Sequence, residues 1–163
     1  MFFLTTRAMS SLHLEPVGTV ADANGKPLVD FLHSPTQKVL CARWYGNLTG
    51  REVTHVAQEY LRAQTTLYCP LLLNDKSQAT GDWNEAMDWL EYEWLPQAME
   101  GGLRAIAYVF SPDMHNQLAS LTFFERVRKH IPIQLFYDVP AAWQWLRIQP
   151  QPLHRPPHTA NPT

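Results

Sequence analysis

An α/β fold, with a mixed and mainly parallel five-stranded sheet that opens on an N-terminal antiparallel hairpin and carries about four helices, is predicted by three features of the sequence. Strand-like apolar runs alternate with segments of helical period. The later strands are apolar on successive residues, as strands covered on both faces are. The first two strands are joined by a linker of hairpin length. The 163 residues, 45% hydrophobic and 12% aromatic, suit one globular domain with a sizeable core.

The elements follow in order. Residues 1–27 form a loosely ordered N-terminal segment ending in the turn-like DANGKP. LVDFLH and KVLCARWYG are the paired strands, with SPTQ between them. In NLTGREVTHVAQEYLRAQ, Val53, Val56, Ala57, Tyr60 and Leu61 recur at helical spacing after the capping hydroxyl of Thr49, which predicts a helix from Gly50 to Ala63. TTLYCPLLLN is a buried strand, with Pro70 confined to its start or edge because proline has no amide hydrogen to give a ladder. A helix from Asp82 to Leu95 stops at Pro96, and GLRAIAYVFSP is the next strand. Ser111 as cap and Pro112 as first residue begin a helix towards His130, whose apolar excess a break near residues 116–120, then a subunit partner, then a bound apolar molecule would account for. IPIQLFYD and VPAAWQWLRI close the domain, which spans 28–148, and 149–163 is a proline-rich segment expected to be disordered.

The acid-rich DWNEAMDWLEYEWLPQAMEGG has the densest chemistry in the chain. On a helical wheel Trp83, Met87, Leu90 and Trp94 fall within roughly 60° of one another, a buried stripe. Glu85, Asp88, Glu91 and Glu93 spread over roughly 200° of the remaining surface, so none converge as a catalytic acid and base must. They are expected to form a solvated face. Trp89 and Tyr92 project away from the stripe and are candidate interface residues, with Phe123 a third because the helix after Ser111 has more apolar surface than one sheet can cover.

A formal charge of −2 with dispersed Lys and Arg argues against nucleic acid and acidic membranes as partners, and no run reaches spanning length. The start, with Met9 an alternative to Met1, lacks the order of a secretion signal. Cys41 and Cys69 sit in apolar runs as free, reduced thiols, which points to the cytoplasm. No Gly-x-Ser-x-Gly and no phosphate loop occurs. His13, His33, His55, His115 and His130 lack metal spacing, and His154 and His158 lack a third ligand. No metal, cofactor or catalytic residue is therefore expected, and an enzyme using Asp75 or Glu85 is the least favoured reading.

EWLPQA (Glu93 to Ala98), GLRAIAYV (Gly102 to Val109), FYDVPAAWQWL (Phe136 to Leu146) and WYGNLTGRE (Trp44 to Glu52) together resemble short bacterial proteins of the SpoIIAA-like STAS superfamily, whose architecture is shared with CRAL-TRIO lipid-binding domains. The likeness covers about Leu28 to Leu146. It implies a sheet with helices that has no chemistry of its own and serves signalling contacts or holds a small apolar ligand. Where the anti-sigma factor antagonists of that group have a phosphorylated Asp-Ser-Ser-Gly segment, this chain has NDKSQATGDW, so Ser77 and Thr80 are candidate phosphoacceptors without the motif. The expected function is a non-catalytic regulatory or scaffold module acting by protein contact, including self-association as a homodimer. The alternative is a carrier or sensor of a small apolar ligand held between sheet and helices.

Overall fold

The computed structural model describes residues 11–150. The expected tail beyond 150, with His154 and His158, and both alternative starts lie outside the described residues. Six strands are arranged in sequence order: β1 (Glu15–Ala21), β2 (Pro27–Ser34), β3 (Val39–Asn47), β4 (Leu71–Thr80), β5 (Ala105–Val109) and β6 (Ile133–Phe136). The first three pair antiparallel and the last four parallel. Strand β1 falls within the segment expected to be loose. It lies at the sheet edge and is mostly exposed, so burial left no apolar alternation in EPVGTVA to detect.

Four helices complete the order: α1 (Gly50–Leu67) after β3, α2 (residues 84–100) after β4, α3 (Met114–Val127) after β5 and α4 (Val139–Leu146) after β6. Each parallel connection is a right-handed crossover by rule, and strands added always on the same side place all such crossovers on one face. Accordingly, α1, α2 and α3 cover one face of the sheet, where Tyr60, Trp83, Trp94 and Phe123 join the main core. On the opposite face α4 contributes Ala142, Trp143 and Leu146 to a smaller core with Val39, Leu71, Leu73 and Val109.

Local chemistry sets the boundaries. The Glu52 carboxylate accepts the Thr49 amide at 2.8 Å and the Thr49 hydroxyl, and this hydroxyl bond foremost holds the Glu52 carboxyl below its ordinary range. Helix α1 runs past the expected Ala63 to Leu67 and ends on the left-handed Tyr68. Helix α3 is capped by Asp113, not by Ser111: the Asp113 carboxylate accepts from Asn116 N and Gly81 N, both at 3.0 Å, while the Ser111 hydroxyl donates to the Ala79 carbonyl. No break interrupts α3.

Helix α2 does not stop at Pro96. It begins as a 3₁₀ turn (Asn84–Ala86), becomes α (Met87–Trp89), widens to a π turn (Leu90–Trp94) and returns to α (Leu95–Glu100). The Leu95 amide bonds back to the Leu90 carbonyl, five residues earlier. This widening makes room for the proline ring, and Pro96 has no amide to lose. Glu91 is not part of the solvated face: it is 9% exposed and receives Arg126 Nη1 at 3.3 Å, with His130 Nε2 at 3.5 Å. Asp88 meets the same Arg126 nitrogen at 2.7 Å. Two of the acids expected to diverge into water thus converge on one guanidinium, which clamps α2 to α3.

Candidate functional site

The most unusual group in the chain lies on β4. In this strand Leu71, Leu73 and Asp75 face α4, and Leu72, Asn74 and Lys76 face α1, α2 and α3. Lys76 therefore enters the main core as part of the ordinary strand alternation. It is 1% exposed, and its ammonium nitrogen is 3.4 Å from the centroid of the Trp83 ring, 4.5 Å from that of Trp44 and 5.7 Å from that of Tyr108. Among the described residues no carboxylate lies within ion-pair distance of it, and no hydrogen bond is made to Nζ.

Two effects oppose each other on this amine. Ring faces favour a cation by about 2 kcal/mol when the site is dry. Removing an ammonium from water costs several kcal/mol even after the protein relaxes. Desolvation is the larger, and it drives the Lys76 pKa well below that of an ordinary lysine with no neighbouring charge contributing. The other titratable groups lining the same space are Tyr60 and Tyr108, and burial pushes both phenols up, so they stay neutral as well.

Beside the amine is a cavity of about 50 Å³ between the sheet and the helices. Its floor includes Ala42, Leu72, Asn74 and Ile106 from the strands, and its roof Val56, Leu90, Trp94 and Phe123 from the helices. Polar groups around it are few, and some are held. Asn74 Oδ1 accepts from Trp44 Nε1 at 2.6 Å, and the Tyr108 hydroxyl bonds to the Ser120 hydroxyl at 2.7 Å. The indole nitrogen of Trp83 and the hydroxyl of Tyr60, both lining residues, are buried without a partner among the described residues. A few small polar contacts within apolar walls are the usual constitution of a small-molecule site.

The turn that brings Trp83 over Lys76 depends on Gly81. Its φ is +93°, and a Cβ there would meet Asn47 Oδ1 and come within 2.5 Å of the Leu48 carbonyl. Only glycine lets the chain leave β4 this close to the end of β3.

The residues singled out in the sequence lie elsewhere. Phe123 is 6% exposed and packs among Trp83, Trp94 and Tyr108, so it has no area for a partner; the apolar excess of α3 is instead the exposed stripe Met114, Leu118 and Leu121. Trp89 is half-buried against the core, and Tyr92 is 66% exposed. Ser77 and Thr80 lie within β4 and not in a loop, because the long β3 continues to pair as Tyr45 with Gln78 and Asn47 with Thr80; both are exposed. Asp75 is buried on the opposite face with Arg43 3.9 Å away, and Glu85 is exposed. Cys41 and Cys69 are free and buried, with thiols pushed up to about 12 and about 11. Neither is an activated nucleophile.

Lys76 was not singled out in the sequence. NDKSQAT reads as a polar loop unless β4 is extended through it, and the signal available was the two-residue spacing of Leu72, Asn74 and Lys76. Among the described residues no group of three His, Cys, Asp or Glu side chains is arranged to hold a metal, and no helix is long and apolar enough to cross a membrane. The sequence matches no family model and no curated protein.

Proposed function

We propose that this domain is a carrier or sensor of a small apolar molecule held between the sheet and helices α1, α2 and α3. The observation that carries the reading is the cavity of about 50 Å³, with its apolar walls and one unpartnered amine. A scaffold needs no such space, and a core with no ligand to admit is ordinarily packed to the density of an organic crystal. The volume suits a molecule of about three to five heavy atoms, since about 10–15 Å³ on this measure accommodates one water. Membership of the SpoIIAA-like STAS superfamily belongs to the same proposal, supported by the antiparallel start followed by three strand–helix units.

Xenon, an apolar probe that needs no hydrogen bonds, tests the reading. Under xenon pressure the methyl NMR signals of Leu72, Leu90 and Ile106 are expected to shift together and saturably, with those of Leu71 and Leu73 on the opposite face unmoved. Equal small shifts on both faces would remove the proposal.

A second reading, regulatory contact with another protein, is favoured by a different observation. Met114, Leu118 and Leu121 recur at helical spacing on α3 and are 70%, 54% and 43% exposed. Sedimentation of the unaltered chain and of Leu118→Glu tests it: a mass above the monomer that falls with the substitution supports contact through α3, and a monomer in both opposes self-association.

A further inference from the structure

We propose that Lys76 captures a small aldehyde or ketone in the cavity as a reversible imine, so that the ligand class is a short-chain carbonyl compound. This rests on the small-molecule reading above and names the chemistry of its ligand.

Three observations converge on it. The first is isolation: among the described residues Nζ has no carboxylate at ion-pair distance and makes no hydrogen bond, and its near neighbours are the rings of Trp44, Trp83 and Tyr108. A buried amine with only ring faces around it is left open to a partner that enters the cavity. The second is place. Lys76 lines the cavity, so a molecule in that space meets the amine. The third is protonation. Burial favours the neutral amine, which is the nucleophilic form, by the desolvation route that activates imine-forming lysines in general.

The surroundings also discriminate against the obvious competitor, a carboxylate. Ring faces are the negative part of an aromatic quadrupole. An anion held against Nζ would have to approach three such faces and give up its own hydration, with no second cationic residue among the described residues that line the cavity to compensate. An aldehyde or ketone is uncharged and small, and enters without that penalty.

The step balances without a further reagent. The nitrogen lone pair of Lys76 adds to the carbonyl carbon, a proton passes from nitrogen to oxygen to give the carbinolamine, and loss of water forms the C=N bond. One water is released per ligand bound and nothing is oxidised or reduced. Hydrolysis reverses the sequence, as a carrier or sensor requires.

The test uses the full chain, propanal as probe and cyanoborohydride to trap the imine as a secondary amine, at about pH 6.5, where ordinary lysines are almost wholly protonated. Peptide mapping is expected to find one propyl group on Lys76 at a rate at least about tenfold above that at the exposed Lys26, Lys38 and Lys129, because each unit of lowered pKa raises the neutral fraction about tenfold. The mapping on the unaltered chain is decisive by itself, and folded Lys76→Met should lose the adduct. Modification of the exposed lysines or the terminal amine with Lys76 untouched would overturn the proposal. If xenon then still occupies the cavity, the imine alone is wrong; if xenon is also excluded, the small-molecule reading falls with it.

Discussion

The Nζ of Lys76 lies 3.4 Å from the centroid of the Trp83 ring, closer than to any other ring it meets. An amine from the middle of the sheet is thus capped by the residue that starts the helical layer. The juxtaposition joins the two parts of the fold that the cavity separates, and changes at either residue should be felt by the other.

Lys76→Met should stabilise the protein. Between its lowered folded pKa and the ordinary lysine value, Lys76 is neutral in the folded chain and protonated in the unfolded one, so the unfolded state binds the extra proton. Stability therefore rises with pH through that window and is lost as pH falls through it. The substitution should flatten this dependence and add on the order of 1–3 kcal/mol within that window, the cost of keeping a polar group out of water. Urea unfolding of both proteins at neutral and alkaline pH measures the two slopes.

Trp83→Ala should destabilise by about 3–5 kcal/mol, the range for deleting a buried aromatic ring. Trp83 packs on Phe123 at 5.8 Å between centroids and is 1% exposed. Trp83→Phe should cost less while keeping a ring near Lys76. Denaturant midpoints order the three proteins, and an alanine variant as stable as the phenylalanine one would contradict the packing account.

At Gly81, alanine would have to adopt the left-handed region and displace the Leu48 carbonyl. A loss of at least about 2 kcal/mol is expected. Thermal unfolding gives the size of the loss. A drop in the fluorescence anisotropy of Trp83, with the other tryptophans replaced by phenylalanine, would locate it in the turn.

Arg126→Met removes the cation that Glu91 and Asp88 share. Glu91 is buried and Arg126 half-buried, so the expected loss of about 1–2 kcal/mol lies between the values for exposed and buried pairs. Adding Glu91→Gln to Arg126→Met should restore part of it, since the buried carboxylate left with only His130 beside it is then gone. A double-mutant cycle in chemical denaturation yields the coupling.

How far the sequence foretold this molecule varies with the signal that each element carries. Strands β3, β4 and β5 were legible because burial on both faces demands continuous apolar runs such as TLYCPLLL and LRAIAYV, and β2 and β6 because shorter apolar runs are bounded by turn residues. Strand β1 was not, because one exposed edge strand needs no apolar face. The stripe Trp83, Met87, Leu90 and Trp94 was correctly assigned to the core, since all four are buried. Glu91 was misplaced because a wheel shows one helix alone: Glu91 lies beside the stripe, and Arg126 and His130 beyond the next strand come to cover it. Phe123 was misjudged because an excess of apolar residues on one helix does not say which of them is left over: Ala119, Ser120, Phe123 and Val127 are buried, and Met114, Leu118 and Leu121 are exposed. The site itself was hidden because composition makes a lysine after Asn and Asp look like a loop residue, and only strand pairing to β3 through Thr80 carries it inside.

The central claim is that the Lys76 amine is neutral in the folded protein. Lysine labelled with ¹³C at Cε reports protonation directly, and comparison with Lys76→Met assigns the resonance. The account predicts that Lys76 titrates well below Lys26, Lys38 and Lys129 and stays in its neutral form at pH values where those three are still charged. A Lys76 signal that titrates with the other three, or above them, would contradict it.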